Sequence, residues 1–538
     1  MRRIAFLLGI AVAVAAQTPE ISGSRIRTHT KFLADDLLEG RGVGARGGKL
    51  TTAYLAGQLA LIGAKPAGDS GTYFQKVPLV GVETLPGARL AAVSKGKTLP
   101  LRWLDDFVGG SERQTTLDHF DAEAVFVGHG IVAPEFGWDD FKGVDVKGKI
   151  LVLFTNEPPS EDKNFFGGKS LTYYGRWTYK YEQAVRMGAL GVIILHTPAT
   201  AGYGWNVVRN SWAREEPYVK LKQGEPALAL AGWVSQEAAQ KLSAIAGKTL
   251  VELEKQSNSR DFRPFSLKFR FRGRIPSKVR ELDTENVVAL IEGSDPARKP
   301  EAVVFSAHWD HLGIGMPVKG DRIYNGAVDN ATGCAMLLEV ARAWAALDPK
   351  PRRSALFIAT TAEEGGLRGS EYYAANPIVP PGKIAVGLNF DAYLPLGRTK
   401  DVVLNGVNRT TFWPVAQDVA ARMGLKIVPD SGNGQGAFYR SDHFPLAKAG
   451  VPAFSVNMGS EFYGKLEGFA ASFEQKYGAN SYHQPSDEYN EQWDFSGLEF
   501  VARFGFALGM EAANIDALPT WNAGDEFRAV REQSLKAR

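Results

Sequence analysis

Residues 302–313, with the sequence AVVFSAHWDHLG, decide the fold that we predict for this chain. The opening run, AVVFSA, has the length and the apolar character of a buried β-strand. His308 and Asp310 come directly after the run, at the point where such a strand would end. In an open α/β sheet, binding sites form in the crevice beyond the carboxyl ends of the strands. The stretch therefore predicts a functional site at one edge of a sheet.

The same arrangement occurs twice more along the chain. The strand-like run 354–360 is followed by the pair Glu363 and Glu364, and the run 384–390 is followed by Asp391. Helical apolar spacing separates or follows these runs, so strands and helices alternate from about residue 286 onward. This alternation predicts an α/β fold, in which a sheet carries helices on both faces. The predicted helices are 331–346, 413–423 and 495–513.

The chain is longer than one hydrophobic core usually serves, at 538 residues. Short β-rich runs and one helical segment suggest a compact α+β unit at 119–275, and a basic, irregular stretch near 260–278 marks its end. Residues 17–118 and 276–515 then form the two parts of a catalytic domain. The remaining segment, 516–538, is predicted to be a tail with a mobile, charged end.

The beginning of the chain has the pattern of an export signal. Two arginines precede the apolar run 4–14, and Ala16 ends a series of small residues. We therefore expect 1–16 to be a signal peptide and the mature protein to be secreted or periplasmic. The single cysteine, Cys334, permits no intrachain disulfide, and its apolar surroundings favour a buried side chain over a catalytic thiol.

The overall charge excludes some classes of partner. A formal net charge of +3 gives no basic excess that would favour nucleic acid or an acidic membrane surface. After the predicted signal peptide, no apolar stretch approaches the length of about 20 residues that a membrane-spanning helix needs. The glycines at 42, 44 and 47 spell G-x-G-x-x-G, but a helical pattern precedes them, so we predict a turn and no nucleotide site.

Five side chains of the types that bind zinc lie in order along the second half of the chain: His308, Asp329, Glu364, Asp391 and His483. Two zinc ions bring four positive charges, and three carboxylates with one hydroxide would offset them. Metals about 3.5–4 Å apart need a bridging ligand, which the two oxygens of Asp329 could provide. A water shared by the ions would have its pKa lowered towards about 7. The set predicts a two-metal hydrolase.

Three neighbours of these ligands have expected roles of their own. Glu363 stands beside Glu364, where a general base would be needed. Asp310 could accept the ring N–H that His308 does not use for metal and so fix the tautomer of that ring. His311 is an alternative to His308 as a ligand, but the position of His308 at the end of the strand favours His308.

Five motifs then resemble, in order, the signatures of the di-zinc exopeptidases of metallopeptidase family 28, which include secreted aminopeptidases similar to aminopeptidase Y. The motifs are SAHWDHLG at 306–313, NGAVDNATG at 325–333, TAEEG at 361–365, NFD at 389–391 and YHQPSD at 482–487. The resemblance implies a mixed-sheet catalytic domain. It also implies that one zinc ion binds His308 and Asp391, the other binds Glu364 and His483, and Asp329 bridges the two.

The resemblance carries further implications for activity. Tyr482 matches a position whose hydroxyl helps to hold the tetrahedral oxyanion, Glu363 would be the general base, and Asp310 would orient His308. Residues 119–275 resemble a protease-associated domain inserted ahead of the catalytic motifs. The implied activity is zinc-dependent hydrolysis of the first peptide bond in substrates with a free N-terminus, through a hydroxide that bridges the metals.

Other interpretations stay open at this point. A carboxypeptidase of the glutamate-releasing kind would need an arginine cluster, and no motif gathers Arg398, Arg409, Arg422 and Arg440. A glutaminyl cyclase would use one zinc ion, against which the full set of five ligand types argues. A receptor-like homologue without catalysis is a third alternative.

Residues 441–443, Ser-Asp-His, have the residue types of a serine triad, but adjacent residues rarely adopt its geometry. The aromatic residues at 173–181 and at 205 and 212 could line a cleft or pack in a core.

Overall fold

The computed structural model describes residues 19–162, 164–429 and 436–537. The predicted signal peptide, 1–16, lies outside the described residues. The N-terminal elements are α1 (Gly23–Leu33), α2 (Arg46–Leu61), β1 (Lys65–Pro66) and β2 (Phe74–Thr84). Gly42 and Gly44 lie in the turn that leads into α2, as predicted, whereas Gly47 lies in the first turn of the helix.

The next elements alternate short strands with short helices. They are β3 (Arg89–Ser94), β4 (Lys97–Leu101), β5 (Phe107–Gly110), β6 (Leu117–Phe126), β7 (Val132–Ala133), β8 (Trp138–Asp139), β9 (Ile150–Phe154), α3 (Trp177–Arg186), β10 (Gly191–Leu195), α4 (Pro198–Ala201), α5 (Trp205–Trp212), β11 (Glu215–Val219), β12 (Leu230–Val234), α6 (Gln236–Ile245), α7 (Leu250–Ser257) and β13 (Phe265–Ile291).

The third group completes the described fold. It consists of β14 (Ala302–His308), β15 (Gly313–Val318), β16 (Asp321–Tyr324), α8 (Thr332–Ala345), β17 (Ser354–Thr360), α9 (Arg368–Ala375), β18 (Ile384–Asn389), β19 (Asp401–Asn405), α10 (Trp413–Arg422), β20 (Lys426–Val428), α11 (His443–Lys448), β21 (Ala453–Met458), α12 (Phe469–Asn480), α13 (Ser496–Asn514) and α14 (Arg528–Lys536). In the described part of the chain, no helix has the length and apolar character needed to cross a membrane.

The catalytic sheet is mixed and carries helices on both faces, so the predicted α/β class is confirmed. Strand β14 runs parallel to β17 and β18, whereas β13 is antiparallel to both β17 and β2. Successive residues of β14 point to opposite faces. Phe305 packs into the core that contains residues of α8 and α13, and Val304 packs into the core that contains residues of α9 and α11.

A second sheet is built from the region predicted to be an α+β unit. Its strands pair in the order β6, β9, β10, β12 and β5. The first half of β13 pairs with β6. Strand β3 also pairs with β13, so residues 89–110 belong to this sheet as well. The limits 119–275 stay a prediction. Strand β11 differs from the rest because it pairs with β2 of the catalytic sheet, which brings the preceding α5 close to that sheet.

The prediction of an irregular stretch at 260–278 is wrong from residue 265 onward. Strand β13 runs without interruption from 265 to 291 and passes from the second sheet into the catalytic sheet. Its basic residues alternate with apolar ones: Phe269 and Phe271 are buried, whereas Arg270 and Arg272 are exposed. Alternation with a period of two is the signature of a strand, and the positive charge obscured it.

The prediction of a mobile end to the segment 516–538 is also wrong for its described residues. Helix α14 lies at this end, and Trp521 is fully buried, with its Nε1 donating to the carbonyl of Gly450 at 3.0 Å. The buried guanidinium of Arg531 donates to the carbonyl of Ile384 at 2.9 Å. These anchors were not evident in a segment where 8 of 23 residues are charged.

Candidate active site

The ends of three parallel strands deliver the predicted ligands to one place. His308 is the last residue of β14, Glu364 follows β17, and Asp391 follows β18. The Nε2 of His308 lies 3.1 Å from Oδ1 of Asp391 and 3.2 Å from Oδ1 of Asp329. These three side chains form the first of two adjoining groups.

The second group meets the other oxygen of Asp329. The Nε2 of His483 lies 3.6 Å from Oδ2 of Asp329 and 3.0 Å from Oε2 of Glu364. The carboxylate of Asp329 therefore stands between the two groups, with one oxygen turned to each. All five predicted ligands converge here, and the arrangement is compatible with two neighbouring metal positions. The assignment of each ligand to a metal stays a prediction.

Two other side chains lie within reach of these positions. One set of ligand atoms within 4.8 Å of one another comes from His308, Glu363 and Asp391, and a second comes from His311, Asp329 and Glu364. The Nδ1 of His311 donates to Oε1 of Glu364 at 2.6 Å, and its buried Nε2 has no hydrogen-bond partner among the described residues. The structure thus places His311 beside the second group. From the sequence, His311 was an alternative to His308, which belongs to the first group.

The donor set fits zinc. Imidazole nitrogens and carboxylate oxygens are the ligands that zinc takes in catalytic sites. Burial raises the pKa of Glu363 well above its usual range, although the nearby His308 works in the opposite direction. Several carboxyl groups buried this close together are costly unless cations offset them. Divalent ions between His308 and His483 would supply that offset.

Asp310 contacts the ring of His308 through its backbone carbonyl and not, as predicted from the sequence, through its carboxylate. The Nδ1 of His308 lies 3.1 Å from the backbone carbonyl oxygen of Asp310 and 3.9 Å from its carboxylate. That carboxylate instead accepts the backbone N–H of Glu363 at 3.1 Å. Asp310 therefore contacts both the ligand His308, through its carbonyl, and the backbone of the predicted base. Its burial raises the pKa of Asp310 to about 7.

The turn that carries Asp329 is held by the loop that carries His483. Asp487 accepts the backbone N–H of Val328 at 3.0 Å and that of Asp329 at 3.1 Å. Next to this turn, the side-chain oxygen of Asn330 accepts the N–H of Gly333 at 3.0 Å, much as a helix N-cap does at the start of α8. The motifs NGAVDNATG and YHQPSD therefore form one structural unit.

Arg41 is a buried residue of the site that sequence reasoning missed. Its guanidinium donates to the carbonyl oxygens of Leu33 at 2.7 Å, Trp309 at 2.8 Å and Gly326 at 2.9 Å. These carbonyls belong to α1, to the segment after β14 and to the turn before Asp329. Arg41 thereby joins two of the ligand-bearing segments. It lies far from both in sequence, so no local pattern pointed to it.

The residues Ser441, Asp442 and His443 do not form a catalytic triad. The hydroxyl of Ser441 donates to Oδ2 of Asp391, and Asp442 accepts hydrogen bonds from Thr360 and Ser370. The ring nitrogens of His443 are buried and have no hydrogen-bond partner in the described parts of the chain. The segment supports the ligand Asp391.

Cys334 is unsuited to a nucleophilic role. Its side chain is buried in α8 and contacts the carbonyl oxygen of His308 at 3.1 Å. Burial raises the pKa of the Cys334 thiol to about 12. The thiol therefore stays protonated at neutral pH and packs as a small apolar group.

A cleft of about 560 Å³ opens onto the site. Glu363, Glu364, Tyr482 and His483 line it from the catalytic domain. The ring of Tyr482 stacks on that of His483 with centroids 4.0 Å apart. The opposite wall is aromatic and comes from the region before β13, and its members are Tyr173, Trp177, Tyr181 and Trp212.

Residues of the same region touch the predicted ligands directly. The Oγ of Ser211, in α5, lies 2.9 Å from Nδ1 of His483, and the side-chain amide of Asn210 donates to the carbonyl of His483 at 3.3 Å. Arg214 donates to the backbone carbonyl of Glu364 at 3.4 Å. Nothing in the sequence singled out these three residues, because their proximity arises only when β11 pairs with β2.

Comparison with known proteins agrees with this geometry. The family model of Peptidase family M28 matches residues 286–501. The leupeptin-inactivating enzyme 1 of Streptomyces exfoliatus is 29% identical over 179 residues, which cover 33% of this chain and 36% of that protein. The chain therefore matches only about a third of the length of this curated relative.

A solved structure shows the same fold over most of the chain. The aminopeptidase from Aneurinibacillus sp. strain AM-1 has 18% sequence identity and a TM-score of 0.53, with 94% of this chain and 97% of that chain covered. A zinc aminopeptidase from Bacillus subtilis has 16% identity and a TM-score of 0.47, with coverages of 95% and 98%. The fold is that of the Aneurinibacillus aminopeptidase, and the grouping of ligand residues is compatible with a zinc-dependent exopeptidase. The match to Peptidase family M28 is carried by residues 286–501 of the chain.

Proposed function

We propose that this protein is a secreted metallo-aminopeptidase that removes the first residue from peptides with a free N-terminus and works with two zinc ions. The position of Asp329 between two groups of ligands carries the proposal. One oxygen of Asp329 lies 3.2 Å from Nε2 of His308, and the other lies 3.6 Å from Nε2 of His483. A single carboxylate turned towards two ligand groups suits a two-metal site better than a one-metal site.

The ions, when bound, would activate a water molecule and polarise the scissile carbonyl. The residues of the chain supply the rest of the reaction. Glu363 takes the proton of the attacking water and passes it to the departing amine. Its backbone N–H is bonded to Asp310, which holds it at the site. Tyr482 lines the cleft and would donate its hydroxyl to the oxyanion that forms on the substrate.

The raised pKa of Glu363 suits this role. A carboxyl group buried in the site accepts a proton more readily than one in water, because burial disfavours the charged form. Cations at the site, when bound, would favour the ionised form, which is the form that accepts a proton. Glu363 therefore combines proximity to the ligands with the basicity that proton transfer needs.

The carboxypeptidase alternative receives little support from the four arginines considered in the sequence. Arg398 packs on the ring of Phe500 at 3.6 Å, and Arg409 pairs with Asp525 at 2.7 Å. Arg440 is the member of this set that lines the cleft. The glutaminyl cyclase and receptor-like alternatives are disfavoured because all five ligand types are in place.

We further propose that residues 119–275 act as a protease-associated domain that covers the cleft. The aromatic wall of the cleft and the contact of Ser211 with His483 support this role. Export through the signal peptide at 1–16 is part of the same proposal and rests on the sequence pattern.

Mass spectrometry of short peptides incubated with the zinc-loaded protein tests the proposal. Each peptide is offered with a free and with an acetylated N-terminus, and a chelator serves as the control. We expect chelator-sensitive loss of the first residue from the free form alone. Loss from the carboxyl end would move the assignment to a carboxypeptidase, and zinc binding without cleavage would favour the receptor-like alternative.

A further inference from the structure

The cleft contains a cation without a partner. Arg176 lies at the start of α3 and lines the cleft together with Glu363 and Tyr482. Its Nε is fully buried and makes no hydrogen bond, and its guanidinium forms no ion pair with any residue in 19–162, 164–429 and 436–537. A buried guanidinium normally has an anionic partner or several carbonyl acceptors.

The surroundings make the charge of Arg176 costly. Burial and the like charge of Arg440, which also lines the cleft, lower the pKa of Arg176 to about 10. The stem of Arg176 packs closely on the chain of the catalytic domain, because a Cβ at Gly436 would lie 3.5 Å from its Cδ. The side chain is therefore held in place between the two parts of the molecule, although it gains no ion pair there.

Three of the six glutamates that line the cleft are paired with other cations. The matched pairs are Glu216 with Arg214 at 3.6 Å, Glu371 with Arg368 at 3.4 Å and Glu182 with Arg186 at 3.5 Å. Glu112, which also lines the cleft, has its pKa raised to about 7 by burial, so it carries only part of a negative charge at neutral pH. None of these four acids forms an ion pair with Arg176.

We propose that Arg176 binds a carboxylate group of the substrate. The planar guanidinium presents parallel N–H donors that match the two oxygens of a carboxylate. The carboxylate has two possible sources: the side chain of an acidic first residue, or the terminal carboxylate of a short peptide. This inference rests on the proposed aminopeptidase function and specifies its substrate class.

The test compares matched peptides in the wild type and in Arg176→Gln. One arm uses Glu-Ala-Ala amide against Gln-Ala-Ala amide, and the other uses the dipeptide Leu-Ala against Leu-Ala amide. Loss of a charge-assisted hydrogen bond should lower kcat/KM about 10- to 100-fold for the substrate that carries the bound carboxylate. The matched neutral amide should change by less than about threefold. The arm that responds identifies the source of the carboxylate.

Arg176→Lys should recover part of the loss, because it restores the charge without the planar fork. Arg89→Gln is the control, since Arg89 lies exposed on β3 of the same region, away from the cleft. Equal effects of Arg176→Gln on acid and amide in both arms, or no effect in either, would overturn the inference.

Binding separates this inference from the proposed function. Calorimetry measures the affinity of the same peptides without turnover when the protein carries Glu363→Gln. The comparison is between Glu363→Gln alone and the double variant Glu363→Gln, Arg176→Gln. A Kd that rises about tenfold or more on loss of Arg176, for the carboxylate peptide only, supports the subsite even if no peptide is cleaved. An unchanged Kd in a protein that does cleave peptides would overturn the subsite and leave the aminopeptidase intact.

Discussion

Ser211 and His483 lie 2.9 Å apart, measured from the hydroxyl oxygen to Nδ1 of the ring. The Nε2 of the same ring faces Glu364 and Asp329. A metal ligand whose second nitrogen is hydrogen-bonded has a fixed tautomer and a fixed ring plane. Ser211 comes from α5, so a region that lines the cleft also contacts a predicted ligand.

We expect Ser211→Ala to weaken zinc binding about 10- to 100-fold, because loss of a partner of a metal ligand typically has that effect. The measurement is competition with a chromophoric chelator, which reads zinc affinity independently of activity. Ser211→Thr should restore most of the affinity, and Ser259→Ala, an exposed serine of the same region, is the control. Wild-type affinity in Ser211→Ala would exclude a role for this contact.

Glu363→Gln should retain zinc and lose turnover by about two to four orders of magnitude, which is the usual contribution of a general base. The amide is almost isosteric with the carboxylate but cannot accept the proton. Metal analysis and single-turnover rates on one sample provide the measurement. Near-normal turnover with full zinc would remove Glu363 from the mechanism.

Arg41→Met should lower the free energy of unfolding by about 3 kcal/mol or more, because several buried carbonyls lose a charged donor at once. Chemical denaturation of the metal-free protein measures the change without a contribution from zinc. The matched control is Arg46→Met, whose side chain is 67% exposed and pairs only with Glu39. That variant should differ from the wild type by less than about 0.5 kcal/mol. A similar small effect for Arg41→Met would contradict its role as a link between segments.

His443 should make the fold sensitive to acid. Burial lowers the pKa of His443 from 6.5 to about 3. Between these pH values the unfolded chain binds the proton and the folded chain does not, so stability is lost as the pH falls below about 6.5. At pH 5 the loss from this group alone amounts to about 2 kcal/mol.

Denaturation of the wild type and of His443→Phe at pH 7 and pH 5 measures this contribution. The variant should lose less stability between the two pH values, by up to about 2 kcal/mol. An aromatic ring is the suitable replacement because His443 packs against Phe438, with ring centroids 4.9 Å apart. Equal losses in the two proteins would show that His443 is protonated with little cost in the folded state.

The parts of the fold that local pattern defines were predictable. The runs 302–307, 354–360 and 384–390 are apolar, short and bounded by polar residues, and each became a central strand. Their ends then placed His308, Glu364 and Asp391 at one edge. Position at a strand end is a property of the sequence, so convergence of these side chains followed from it.

Other features depend on contacts between distant segments. Strand β13 was misread because four basic residues between 268 and 274 suggested solvent exposure, although every second residue is apolar. Arg41 reaches the site from the segment between α1 and α2, and Ser211 reaches it from α5. No local sequence pattern marks either residue. His311 lies beside the second group of ligands because of the way the chain turns after β14. The alternation of residues along the strand does not determine that turn.

The most direct test of the central claim is a zinc titration of the metal-free protein, with release of the first residue from a free peptide followed by mass spectrometry. We expect activity to rise with added zinc and to reach its full value when two ions are bound per chain. Release should disappear when the N-terminus is acetylated. Full occupancy by zinc without release of the first residue, or maximal release with a single ion bound, would contradict the account.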